Sequence, residues 1–141
     1  MAKKKRKFET LYGVIGLGRF GMALAQALAA AGREVLVVDK EQSKINQAAA
    51  FTDNAYRVDE LTRENLEAIG LAECDVVIIG IGERIDTSIL ATLTVLRLGV
   101  KRVIAKAKSE EQGEVLTTLG AEVTSITRVL EVVVSIPKLK P

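Results

Sequence analysis

One stretch constrains this chain more than any other: Tyr12-Gly13-Val14-Ile15-Gly16-Leu17-Gly18-Arg19-Phe20-Gly21. A short apolar run, Leu11 to Ile15, meets glycines at Gly16, Gly18 and Gly21. An alanine-rich segment follows, from Met22 to Ala31. The reading is strand, tight turn, helix, with G-x-G-x-x-G spacing across the turn. Each glycine has its own reason. Gly16 permits a turn that side chains forbid, Gly18 lets an anion approach the main chain, and Gly21 lets the helix close on its strand. The start of that helix offers unpaired N–H groups and a positive dipole end to a phosphate.

Eleven glycines in 141 residues produce such spacings by chance, so context decides. A second apolar run, Val35-Leu36-Val37-Val38, ends in Asp39. A carboxylate about 20 residues beyond the glycines is placed to accept hydrogen bonds from a ribose diol. A 2′-phosphate would meet that charge unfavourably, which disfavours NADP, although Lys40 is adjacent.

The remaining chain repeats the same rhythm. Strands are expected at Glu34 to Val38, Ala55 to Val58, Val76 to Ile79, Arg102 to Ala107 and Glu122 to Ile126. Helices are expected at Glu41 to Ala50, Arg63 to Ile69, Ser88 to Leu98 and Ser109 to Leu119. Gly32, Gly70, Gly99 and Gly120 close the helices. Asp86 or Thr87 can cap the fourth helix, and Ser109 with Gln112 has capping-box spacing. The strands are nearly continuous apolar runs, as in parallel sheets covered on both faces. The expected fold is a single α/β domain, a doubly wound parallel sheet of six strands ordered 3-2-1-4-5-6. Residues 10–127 form that domain, residues 1–9 are a basic flexible start, and 128–141 are a tail or the start of an interface element.

Ligands of such sheets bind over the carboxyl ends of the strands, where the order reverses. The candidate residues there are Gly16, Leu17, Gly18, Arg19, Phe20 and Gly21 in the loop, and Asp39 and Lys40 after the second strand. Asp59, Glu60 and Leu61 follow the third strand, where an adenine ring would lie. Gly80, Ile81 and Gly82 follow the fourth, and Lys106 and Lys108 end the fifth. Arg19 can reach a pyrophosphate or a terminal phosphate by forked hydrogen bonds.

No catalytic set accompanies this binding pattern. The chain has no histidine and one cysteine, Cys74, read as a small buried residue. No nucleophile lies beside a base and no metal-ligand spacing occurs, so the expectation is a binding module and not an enzyme. The net charge of +2 gives little drive toward nucleic acid. The run Lys3-Lys4-Lys5-Arg6-Lys7 reads as a solvated end. No apolar run approaches the roughly 18 residues of a membrane span, and no signal-peptide pattern is present, so a cytoplasmic location is expected.

These residues resemble a known family. Val14 to Gly21, with its Arg19-Phe20 pair, is similar to the opening of the regulator-of-potassium-conductance (RCK, TrkA-N) domain of Trk and Ktr potassium-transporter regulatory subunits. Gly32 to Asp39, Asp75 to Gly82, Thr87 to Leu93, Val103 to Ala107 and Leu119 to Ala121 extend the resemblance over roughly residues 10 to 122. It implies a Rossmann domain binding NAD(H) or ATP/ADP as a regulatory ligand, a distinction these residues leave open. It also implies a membrane potassium transporter as partner, self-association as dimers and octameric rings, and a position peripheral to the inner membrane face. The chain departs from the family at Thr124-Ser125-Ile126-Thr127-Arg128, where the family has Pro-Glu. It also has no length for a second ligand-binding lobe, and so reads as a single-domain subunit or an excised fragment. Competing readings are the dinucleotide domain of an NAD-dependent oxidoreductase and, last, a nucleotide-responsive DNA binder.

Overall fold

The computed structural model describes residues 10–82 and 84–124. Six strands are built in order: β1 (Leu11–Ile15), β2 (Glu34–Asp39), β3 (Asn54–Arg57), β4 (Val76–Ile79), β5 (Arg102–Lys106) and β6 (Glu122–Thr124). Five helices alternate with them: α1 (Arg19–Ala30), α2 (Gln42–Ala48), α3 (Arg63–Ala68), α4 (Ile85–Arg97) and α5 (Glu110–Leu119). A single 3₁₀ turn at Leu71–Glu73, not expected from the sequence, leads into β4. All strand pairs are parallel and the order is β3-β2-β1-β4-β5-β6, the doubly wound Rossmann arrangement.

The pleat explains why both faces are apolar. Successive residues of a strand point to opposite sides. In β1, Leu11 and Ile15 enter one core with Leu66, Ala91, Val95 and Leu116 of α3, α4 and α5. Tyr12 and Val14 enter the other, with Leu24, Ala25 and Leu28 of α1 and Ile45 and Ala48 of α2. The sheet is therefore covered by two helices on one face and three on the other. Cys74 is buried as expected, and a side chain at Gly13 would press on its Sγ at 3.0 Å. At the far edge of the sheet, Arg102 donates to Glu122 across β5 and β6 at 2.6 and 2.9 Å. That hydrogen bond holds the Arg102 guanidinium above its ordinary pKa.

Several boundaries differ from the expected ones. α1 begins at Arg19 and not at Met22, so Arg19, Phe20 and Gly21 form its first turn. Ala31 is its exposed C-cap and not a core residue. α4 begins at Ile85, capped by Arg84, so Asp86 and Thr87 lie inside the helix and neither is its cap. Ile45 and Ala48 turn inward from α2. Residues 125–126 of the expected sixth strand, the basic start at 1–9 and the tail at 128–141 lie outside the described residues.

The expected cap of α5 forms, with a shift. Ser109 Oγ accepts from Gln112 N at 3.1 Å, but the Gln112 side chain returns to Lys108 N, one residue before the cap. Ser109→Ala is expected to destabilise the fold by about 1 kcal/mol, read from the midpoint of urea unfolding.

Candidate functional site

All six strands point the same way, so their carboxyl ends share one edge of the sheet. A cleft of about 1240 Å³ opens there, over β1 and β4 where the strand order reverses. Volumes of this order hold small-molecule ligands and cofactors. The lining includes Gly16, Leu17, Gly18, Arg19 and Phe20 from the loop and first turn of α1, and Asp39 and Lys40 from the end of β2. It continues through Asp59, Glu60 and Leu61 after β3, Gly80, Ile81 and Gly82 after β4, Lys106 at the end of β5 and Lys108 just beyond it. The structure thus brings together nearly all the residues singled out in the sequence. Gly21 is the exception. It is buried beneath the loop and does not line the cleft.

The glycine loop is shaped by contact with its own protein. Gly16 has a positive φ of 96°, and a Cβ there would lie 3.0 Å from Ile81 N. A Cβ on Gly21 would lie 1.8 Å from Gly16 O, which no packing can accept. A Cβ on Gly80 would be tight but less severe, at 3.1 Å from the same oxygen. Gly18 is different. Its φ of −70° suits any residue, and a Cβ there would meet nothing within 4 Å. It caps α1 without a side-chain hydrogen bond and faces the open cleft. No steric contact calls for glycine at that position, although glycine is also a favoured N-cap.

Asp39 does more than the sequence indicates. Its Oδ2 accepts from Leu17 N at 2.6 Å and its Oδ1 from Glu41 N at 2.9 Å. The carboxylate therefore ties the glycine loop to the end of β2 before any ligand arrives. Two carboxylate oxygens offer about four acceptor positions, so capacity remains for a diol. Asp59 also has a partner: Arg57 Nη2 donates to both its oxygens at 3.0 and 3.3 Å, while Arg57 Nε donates to Lys40 O at 3.1 Å. An adenine amino group would share that acceptor with Arg57.

The far wall is cationic. Lys106 Nζ lies 5.3 Å from the centre of the Phe20 ring, in cation–π range, and next to Gly82. A Cβ on Gly82 would meet that Nζ at 2.8 Å. Arg84 and Lys108 stand on the same side. Arg84 pairs with Asp86 at 3.0 Å. Hydrogen bonds from Arg84 and from Thr87 N hold the Asp86 carboxyl below its ordinary pKa, and the same pairing raises Arg84. Sequence reasoning missed Glu41, Lys44, Thr62, Arg84, Thr87 and Leu90 as lining residues. The helical phase of α2 and an earlier start of α4 were the signals that place Lys44 and Arg84 here.

Among the described residues no group of His, Cys, Asp and Glu side chains is arranged to hold a metal ion. None of the described helices is long and apolar enough to cross a membrane.

Residues 12–127 match the TrkA-N domain family. The chain is 39% identical over 111 residues to Ktr system potassium uptake protein C of Bacillus subtilis, covering 79% of this chain and 50% of that one. The same figures hold for Ktr system potassium uptake protein A of Vibrio alginolyticus. The chain thus spans about half the length of these curated relatives. The structure of the GsuK channel bound to NAD superposes with a TM-score of 0.69 at 25% identity, covering 89% of this chain and 22% of that one. The fold, the glycine loop and the sequence match agree, and the chain belongs to the TrkA-N domain family.

Proposed function

We propose that this chain is the nucleotide-sensing part of a regulatory subunit of a potassium uptake system. It binds an adenine nucleotide in the cleft and passes its ligand state to a membrane transporter. The observation that carries the nucleotide is Gly18. Its Cβ direction is empty and its backbone is unstrained, so packing does not call for glycine there, while an incoming group on the main chain does. A phosphate seated on the first turn of α1 is such a group. Arg19 stands at that turn, Asp39 is placed for the ribose, and Lys106 offers charge from the opposite wall.

The role in transport draws on relatives. Two Ktr potassium uptake proteins match over most of this chain, and a related channel domain has been solved with NAD. The regulatory reading rests on the match to the TrkA-N family and to Ktr potassium uptake proteins. The ligand is NAD(H) or ATP/ADP, the partner a membrane potassium transporter, and the working form an assembly of identical chains at the cytoplasmic face.

Calorimetric titration with NADH, NAD, ATP and ADP tests the first step. Gly18→Ala is expected to lower the urea midpoint only slightly, by the modest loss of a glycine N-cap, and to weaken the preferred nucleotide by at least roughly tenfold, because the methyl group takes the space a phosphate needs. Equal affinity in the variant, or a folded wild type that binds none of the four, would overturn the reading. An NADH preference coupled to hydride transfer would favour the oxidoreductase alternative.

A further inference from the structure

We propose that Gln112, which does not touch the cleft, is a positioning residue for it and acts through Lys106 and Lys108. The inference rests on the nucleotide reading above. Gln112 is 3% exposed, a primary amide almost wholly inside the protein. Burying an amide is unfavourable unless its polar atoms are paired. A leucine there would suit the helix equally and bury without that penalty. What the amide adds is a hold on the turn between β5 and α5.

Its Oε1 accepts from Lys108 N at 2.7 Å. Its Nε2 makes a long contact of 3.5 Å to Ser88 Oγ, which is itself fully buried in α4. Ser88 O in turn accepts from Thr92 Oγ at 2.8 Å. The turn carrying Lys108, two residues beyond Lys106 at the end of β5, is thereby tied to the body of α4. The bond falls one residue earlier than an ordinary capping box, so it draws the chain back across the top of β5 and does not merely close the helix.

Lys106 itself faces the cleft. Lys106 Nζ is set over the Phe20 ring and against Gly82, which has no side chain to obstruct it. Lysine is flexible, with a four-carbon stem, and a fixed backbone origin is what limits its reach. With an apolar residue at 112, Lys108 N loses its partner, and the end of β5 that carries Lys106 loses the anchored turn that follows it.

The test combines a ligand-free signature with a double-mutant cycle on the full chain. The ε-methylene protons of Lys106 are followed by NMR, since the Phe20 ring shifts them upfield, with Phe20→Leu as the assignment control. Gln112→Leu is expected to return them toward free-lysine values and to weaken ADP or NADH, whichever binds more tightly, by roughly tenfold. Gln112→Glu keeps the acceptor for Lys108 N and is expected to retain both. In a Lys106→Gln/Lys108→Gln background, Gln112→Leu is expected to change affinity by less than about twofold, because the groups it acts through are gone. Should Gln112→Leu not fold, Gln112→Met, unbranched and of similar length, takes its place. An unmoved Lys106 signal in the folded variant, or an equal loss of affinity in both backgrounds, overturns the proposal. A wild type that binds neither ligand sinks the nucleotide reading alone, while the Lys106 signal still decides this one.

Discussion

Gly21→Ala is expected to destabilise the chain by about 3 kcal/mol or more, enough to remove much of the stability of a small domain. The added Cβ would overlap Gly16 O, a main-chain atom that no rotamer change can move aside. Gly16 is held in turn by its N–H, which donates to Val38 O at 2.8 Å, and by its tight approach to Ile81. Relief therefore requires α1 to lift from β1, opening the core around Leu24 and Leu28. In an exposed helix interior, Gly→Ala would instead stabilise by up to about 1 kcal/mol. Urea unfolding of the two proteins measures the difference. A variant as stable as wild type would show that the loop tolerates a wider separation from α1. Set beside Gly18→Ala, it separates the glycine that the fold needs from the glycine that a ligand needs.

Asp39→Ala is the second large effect. Two backbone donors lose a charged acceptor, and Leu17 N belongs to a residue with no exposed surface. Hydrogen bonds to charged groups are worth about 1.5–3 kcal/mol, so a stability loss of about 2 kcal/mol is expected even without ligand. Nucleotide affinity is expected to fall by at least roughly 100-fold, since the ribose contacts and the loop geometry are lost together. Asp39→Asn separates the two. Its amide oxygen can still accept from Leu17 N, so stability is expected to recover in part while affinity remains low. Recovery of affinity with Asn would mean that the charge has no role toward the ribose.

How much of this was legible from residues alone follows from what each feature depends on. The strand order was legible because β1, β2, β4 and β5 are continuous apolar runs, and such runs separated by helices make parallel sheets. Val14 pairs with both Val37 and Ile78, the central position that such a pattern predicts. Helix starts were less legible. Gly18 and Gly21 are poor helix residues, which hid the first turn of α1. Asp86 is a favoured cap residue, yet its carboxylate serves Arg84 and Thr87 N within the helix.

The cleft was legible as a set of strand ends, because parallel topology puts them all on one edge. The partners of its side chains were not. That Asp39 holds Leu17 N, that Arg57 occupies Asp59 and that Lys106 lies over Phe20 are facts of distance between remote segments. Local pattern carries no information on them.

The contact between Gly16, Gly80 and Ile81 has a mechanical meaning. Most contacts between helices and sheet are made by side chains, which act as soft padding and take up small displacements by changing rotamer. Here main chain rests directly on main chain, with nothing compressible between. A push on the glycine loop is therefore expected to carry to the end of β4, as between two gear teeth in mesh.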